Sequence, residues 1–190
     1  MPARLPLLRP DDLTPAQRAL YDKLITGKRA TGNRAFPLTD GEGRLQGPFN
    51  AMLLNPDLGD ALQAVGVAVR YATSLTPRQR ELATLTVAAS ESSPYEWAAH
   101  SHLGTTAGLT ALQLEAIRTH APLDLPDPTE QAVLNAAREL TRTGNLSDIT
   151  FAATRDILGL TILYEVITLV GYYRLLALQL RTLEVTALAP

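Results

Sequence analysis

The sequence 76-TPRQRELATLTVAASESSPYEWAAHSHLGTTAGL-109 predicts two helices joined by a short polar turn. Thr76 can cap the first helix, because its hydroxyl can accept a hydrogen bond from a free amide of the first turn, and Pro77 fits the first helical position. The segment from Ser90 to Pro94 breaks the helical pattern, and Ser93 is expected there as a turn or cap residue. The rest of the chain is expected to pack around this pair of helices.

Three ionisable residues interrupt the apolar faces of the two helices. Glu81 shares a stripe with Leu85, and three- and four-residue spacing places Glu96, His100 and Leu103 on one face of the second helix. Charged groups are rarely buried unless they are paired. We therefore expect the two faces to pack together and to enclose a cluster of Glu81, Glu96 and His100.

The same stretch resembles a known family. The pattern formed by RELATLTVAA at 80–89, YEWAAH at 95–100 and AGL at 107–109 is similar to that of the carboxymuconolactone decarboxylase family, part of the alkylhydroperoxidase D-like superfamily. A weaker similarity continues through GPFN at 47–50 and LVGYYR at 169–174, so the resemblance extends over most of the chain.

This resemblance implies an all-α, oligomeric fold, a trimer or hexamer, with the active site near subunit contacts. It also implies that Glu81, Glu96 and His100 are the catalytic positions. The peroxidase branch of the superfamily carries a C-x-x-C pair before the histidine, and by spacing those cysteines would fall at Ser93 and Glu96. Because the chain has no cysteine, we expect thiol peroxidase activity to be excluded.

Composition limits the classes of function. A length of 190 residues suggests a single domain over residues 1–190, and 46% hydrophobic with 19% charged residues is typical of a globular protein. The net charge of -2 provides no basic surface, so we expect no nucleic-acid partner. The start of the sequence, MPARLPLLRPDDL, lacks the apolar core of a signal peptide, which favours a cytoplasmic location.

Helical patterns account for most of the remaining chain. No stretch shows sustained two-residue alternation, so the predicted fold class is an all-α, single-domain helical bundle of roughly eight helices. Residues 1–13 contain three prolines and are expected to form an extended arm. Besides the central pair, helices are predicted near residues 14–25, 49–54, 56–73, 110–119, 127–143, 147–158 and 161–183.

Residues 27–47 form a long polar connection between the first two predicted helices. Loops of about twenty residues are uncommon in compact domains and often carry function. Two interpretations remain open for this segment: a surface loop, or a pocket lid or oligomer arm.

Residues 160–180, LTILYEVITLVGYYRLLALQL, are long and apolar enough to suggest a membrane span. Glu165 and Arg174 lie inside this segment, and charges are costly in lipid. A helix that is apolar on all sides is more often buried in a core or at a subunit interface. We therefore expect no membrane partner.

His100 and Glu96 are the residues best suited to proton transfer. They lie one helical turn apart, and a histidine in a partly apolar pocket can serve as a general acid or base near neutral pH. Glu81 could orient the imidazole, balance its charge or carry the proton itself. Such a set needs no cofactor, and its spacing matches no strong metal motif. A structural network that only locks two helices together remains the alternative.

Four residues are candidates for contacts with a small-molecule substrate. Arg174 could bind a substrate carboxylate, although pairing with Glu165 or another acid is an alternative. The other candidate cations for this carboxylate are Arg34, Arg44, Arg78 and Arg80. Phe49 and Asn50 follow the long loop and could line the mouth of a pocket. Trp97 is adjacent to Glu96, but core packing would explain it equally well.

The leading hypothesis is a cofactor-independent enzyme, a carboxy-lyase like carboxymuconolactone decarboxylase, that acts on a small organic acid or lactone by His/Glu proton transfer. The alternative is a non-catalytic, oligomeric protein that binds small molecules or supports an assembly. A shared fold does not decide between them.

Overall fold

The computed structural model describes residues 4–32 and 34–185 and confirms the all-α prediction. Within these residues the extended backbone pairs only at an isolated bridge between Thr39 and Leu45. A short 3-10 turn at Pro10–Asp12 precedes the first α-helix. The helices are α1 Pro15–Thr26, α2 Lys28–Thr31, α3 Pro48–Met52, α4 Pro56–Tyr71, α5 Pro77–Ser90, α6 Pro94–Thr106, α7 Ala111–Arg118, α8 Pro128–Thr143 and α9 Asp148–Thr182.

Several helices begin at the capping signals that the sequence carries. Thr76 accepts a hydrogen bond from the Gln79 amide, and the Gln79 side chain accepts one from the Thr76 amide, so the two form a capping box. Thr14 and Thr110 form the same arrangement at the starts of α1 and α7. Proline occupies the first turn where its missing amide costs no hydrogen bond.

Helix α5 is the centre of the fold and packs against α6, α7, α8 and α9. Its residues 81–88 are all buried, so the single apolar stripe predicted for this helix was too narrow. The reason is that neighbours cover α5 on every side, which the sequence of one helix cannot reveal. Any polar group on α5 must therefore find its partner inside the protein.

The predicted interruption at Gly159 divides α9 into segments 148–158 and 160–182. Gly159 has φ 78° and ψ 161°, a region of backbone space that side chains other than hydrogen do not tolerate. By length and composition alone α9 could cross a membrane, but 44% of its most apolar window is buried within the fold. The Glu165 carboxylate accepts the Ser74 amide, and Arg174 pairs with Glu91, as expected for a core helix in a soluble-like fold.

The segment 27–47 differs from the expected irregular loop. It contains the one-turn helix α2, the Thr39–Leu45 bridge and the buried side chains of Leu38 and Leu45. These apolar residues anchor the segment against the helices, so it forms part of the fold. In the predicted arm, residues 1–3 lie outside the described residues, and the remainder includes the 3-10 turn and the buried Leu5.

Candidate active site

The structure brings Glu81, Glu96 and His100 together, as the pattern of polar residues on apolar faces indicated. The Nδ1 atom of His100 lies 2.7 Å from Oε2 of Glu81, and Nε2 lies 3.4 Å from Oε2 of Glu96. The three residues are only 4–5% exposed. Both ring nitrogens therefore face a carboxylate in a site shielded from bulk water.

Neighbouring helices fix the position of this cluster. Glu81 projects from the central helix α5, whereas Glu96 and His100 lie one turn apart on α6. Tyr173 of α9 meets the His100 ring edge-on, with ring centroids 5.0 Å apart. The imidazole is thus held by α5, α6 and α9 at once.

Two opposing effects set the protonation of His100. Burial lowers its pKa, whereas the two carboxylates raise it. Glu81 contributes most through its charge and its hydrogen bond, and Glu96 adds a further increase. Together they outweigh burial and raise the pKa of His100 to about 9. His100 is therefore an imidazolium at neutral pH. It can donate a proton as a general acid or stabilise negative charge that develops beside it.

A small cavity of about 70 Å³ adjoins the cluster. His100 and Glu96 line it, together with Tyr172 and Tyr173 of α9, whereas Glu81 is not among its lining residues. This placement favours an orienting role for Glu81, behind the imidazole, over direct contact with a bound molecule. Residues 34–38 of the long connecting segment form another part of the wall.

A larger groove of about 790 Å³ lies between α8 and the first part of α9. Its lining includes His120 and the charged side chains of Arg138, Glu139 and Arg142, but none of the three clustered residues. A buried histidine with a strongly raised pKa is a better indicator of a chemical site than the volume of an open groove. We therefore place the candidate active site at the smaller cavity.

Comparison with known proteins agrees with this architecture. Residues 56–139, which include the whole cluster, match the model of the carboxymuconolactone decarboxylase family. Over these residues the chain is similar to the carboxymuconolactone decarboxylase family. No curated protein matches the sequence.

Several solved structures share this fold over nearly the whole chain. One is the alkylhydroperoxidase AhpD core of a peroxidase-related protein from Ralstonia eutropha JMP134, with 17% identity, a TM-score of 0.72, and coverage of 98% of this chain and 92% of that one. A peroxidase-related protein from Silicibacter sp. TM1040 has 15% identity, a TM-score of 0.73, and coverage of 99% and 93%.

A variant of the debrominase Bmp8 in complex with 2,3,4-tribromopyrrole has 14% identity, a TM-score of 0.72, and coverage of 97% and 91%. At these identities the likeness shows the fold alone. Proteins described as peroxidase-related and as a debrominase therefore share this fold, and the fold does not fix the reaction.

Ser93 occupies the N-cap position of α6, where the sequence predicted a turn or cap residue. Its side chain, however, makes no capping hydrogen bond. The Ser93 hydroxyl is buried and has no hydrogen-bond partner. The backbone turn at this point is therefore formed without help from the side chain.

Of the four predicted substrate contacts, only Phe49 lines the cavity. Asn50 donates a hydrogen bond to the Pro6 carbonyl at 2.9 Å and accepts one from the Leu8 amide, so it fixes the N-terminal segment. Trp97 packs against the apolar cluster around Leu82 and Leu85 on the far side of α6. Asn50 therefore anchors the N-terminal segment by hydrogen bonds, and Trp97 packs against the core. Substrate contact by either residue stays a prediction.

Arg174 is likewise not among the residues that line the cavity. Its Nε donates to Oε1 of Glu91 at 2.9 Å, and its Nη1 donates to the Leu140 carbonyl. Pairing with an acid other than Glu165 is one of the alternatives that the sequence left open. Arg174 thus ties α9 to the turn that follows α5, and its contact with a substrate stays a prediction.

Three arginines lie at the cavity, and of these only Arg34 was a candidate cation from the sequence. Arg29 of α2 lines it and is 7% exposed, and Arg34 and Arg70 line it as well. Arg29 lies in a segment with no helical periodicity, so its burial follows from tertiary packing. Tyr172 and Tyr173 belong to the more weakly similar part of the family resemblance. Both residues line the cavity.

Proposed function

We propose that this chain is an acid–base enzyme of the decarboxylase type, which acts on a small organic acid or lactone. The observation that carries the proposal is the buried imidazolium of His100 at the wall of a cavity, with one carboxylate behind it and one beside it. This arrangement supports proton transfer and supplies the groups for it from the chain itself.

The two ring nitrogens have different tasks in this proposal. The Nδ1–H donates a short hydrogen bond of 2.7 Å to Glu81, which keeps the ring oriented. The Nε2–H faces Glu96 at 3.4 Å, a long contact, and lies on the cavity side. The proton on Nε2 is therefore the one that is more readily passed to a bound molecule.

Decarboxylation uses such a proton directly. The bond between the substrate carbon and its carboxylate breaks, carbon dioxide leaves, and the electron pair stays on carbon, delocalised toward a neighbouring carbonyl. The carbon then takes the proton from Nε2 of His100, and solvent later restores that proton. The net change is the loss of one carboxylate as carbon dioxide and the gain of one proton at carbon.

The test compares wild-type protein with His100→Gln and with His102→Gln, a matched change at an exposed histidine on the same helix. Each protein receives 4-carboxymuconolactone and a panel of β-keto acids in heavy water. Carbon dioxide release and deuterium incorporation at carbon are followed by mass spectrometry. We expect His100→Gln to lose about 10²-fold or more of the rate, since general acid–base groups contribute that much, and His102→Gln to retain it.

The alternative is a non-catalytic protein that binds small molecules or supports an assembly, and the small size of the cavity favours the assembly role. The cavity volume of about 70 Å³ is small beside the roughly 300 Å³ or more of usual ligand pockets. Absence of turnover by the wild-type protein on every member of the panel would favour this alternative. Equal turnover by wild type and His100→Gln would remove His100 from the reaction.

A further inference from the structure

Arg29 is a buried cation without a carboxylate partner. Among residues 4–32 and 34–185 no acidic side chain lies within ion-pair distance of its guanidinium. Its Nη2 donates a hydrogen bond to the Tyr172 hydroxyl at 3.1 Å, and its Nε is buried with no hydrogen-bond partner. Buried charges are normally paired, so a guanidinium with spare donors beside a cavity indicates a position for an anion.

The surrounding helices are shaped to hold Arg29 in this position. A Cβ atom added at Gly66 of α4 would overlap both Nη2 of Arg29 and the Tyr172 hydroxyl. The Phe49 ring supports the guanidinium from another side, with Cζ 5.1 Å from the ring centroid. Glycine at position 66 therefore makes room for the Arg29–Tyr172 pair.

The charges at the cavity favour an anion. Arg29, Arg34 and Arg70 line it together with the His100 imidazolium, and Glu96 is the one acid among the lining residues. Glu81 adds a second carboxylate from behind the ring. Positive groups thus outnumber the carboxylates around the cavity.

We propose that Arg29 is the specificity-determining residue that binds a carboxylate group of the ligand in this cavity. That the ligand is a substrate rests on the proposed function, whereas the binding itself does not. The carboxylate held by Arg29 is the one that the substrate keeps. An ion pair with the leaving carboxylate would stabilise the ground state and oppose its loss.

The cavity volume selects the probe for a test. About 70 Å³ corresponds to roughly two water molecules, so a short monocarboxylate such as propionate is suitable. Its neutral counterpart is propionamide, which has nearly the same shape without the charge. Binding of each is measured by saturation-transfer NMR in buffer of low chloride content, without any turnover.

The variants separate the guanidinium from general charge effects. Arg29→Met removes the charge but keeps an apolar stem, and Lys28→Met removes an exposed charge from the same helical turn as a matched control. Gly66→Ala leaves Arg29 in place but fills the space that its guanidinium uses. Circular dichroism verifies that each variant is folded, and Gly66→Ala provides the test if Arg29→Met is not.

We expect the wild-type protein and Lys28→Met to bind propionate with the same affinity. Arg29→Met and Gly66→Ala should bind it about tenfold to a hundredfold more weakly, because each loses a charge-assisted hydrogen bond to the carboxylate. Propionamide should bind the wild-type protein more weakly by a similar factor. Equal affinity of Arg29→Met and wild type for propionate, or of the wild type for both probes, would overturn the inference. Propionate binding that depends on Arg29 without any decarboxylation would refute the proposed function and leave this inference standing.

Discussion

Glu81 and Glu96 contact His100 at different distances, and this difference assigns them separate roles. The contact of 2.7 Å with Glu81 is a strong charge-assisted hydrogen bond, whereas the contact of 3.4 Å with Glu96 is near the outer limit of one. Glu81 is therefore a positioning residue, and Glu96 shares the cavity wall with the reactive nitrogen.

We predict that Glu81→Gln lowers the pKa of His100 more than Glu96→Gln does. The Glu81 charge is the largest of the effects that raise this pKa. Without that charge, burial lowers the pKa with less opposition. The measurement is a pH titration of ¹³C-labelled histidine by NMR. The protein has three histidines, so His102 and His120 serve as internal references. Equal shifts in the two variants would contradict the assignment.

A second prediction concerns the pH dependence of stability. The pKa of His100 is raised from 6.5 to about 9 in the folded protein, so the folded state binds this proton more tightly than the unfolded state does. The resulting stabilisation, about 3 kcal/mol, is fully present below pH 6.5 and is lost as the pH rises through 9. Urea unfolding at pH 6 and pH 9.5 measures the difference.

The variant His100→Gln is the control for that experiment, because it has no titrating group at this position. Its free energy of unfolding should change less between the two pH values than that of the wild-type protein. An equally large change in both proteins would show that other groups cause the pH dependence.

At the scale of single residues, the sequence predicts the cluster but not its surroundings. Glu81, Glu96 and His100 could be found because charges on apolar helix faces must meet one another inside a fold. The location of Arg29 could not be predicted, because its burial depends on how α2 packs against α4 and α9. Trp97 does not line the cavity, because adjacency in sequence to Glu96 does not imply a shared face of a helix.

At the scale of elements, the break in α9 rests on one residue. Gly159 has a positive φ, is exposed, and has no atom within 4 Å of the place where a Cβ would be. We predict that Gly159→Ala lowers the free energy of unfolding by about 1–3 kcal/mol, the usual cost of such strained backbone for a residue with a side chain.

Gly171 in the same helix is the matched control for this change. It is also exposed and has open space around it, but its backbone is helical. Gly171→Ala should therefore raise the free energy of unfolding by about 0.5–1 kcal/mol. Thermal and urea unfolding measure the stability of both variants. If Gly171→Ala is also destabilised, steric space rather than backbone conformation determines the effect of a side chain in α9.

Helix starts were more predictable than the environments of the helices. Threonine followed by proline or by a glutamine three positions later marked the starts of α1, α5 and α7 because these side chains satisfy free backbone amides. Helix α2 was missed because one turn is too short to show periodicity.

At the scale of the whole molecule, the outer face of α9 carries a row of exposed apolar side chains. Its members, in the part of α9 that follows Gly159, are Leu160, Tyr164 and Ile167. Exposed apolar patches usually mark contacts between proteins. We therefore expect the native protein to be a homo-oligomer, with this row at a subunit contact.

Light scattering after size-exclusion chromatography measures the native mass of the wild type and of two variants. Leu160→Glu should reduce the mass because it places a charge within the apolar row. Leu112→Glu, at an exposed leucine of α7, is the control and should keep the wild-type mass. A monomeric wild type, or an unchanged mass for Leu160→Glu, would exclude this row as the contact.

Gly159 has a consequence for how this chain can vary. Judged by solvent exposure alone, position 159 would accept any side chain, because it is exposed and no neighbouring atom limits the size of a side chain there. Its backbone nevertheless disfavours every encoded amino acid except glycine by about 1–3 kcal/mol. A saturation library selected for stability should therefore be enriched in glycine at this position. Amino-acid changes here should be depleted relative to changes at its equally exposed neighbours.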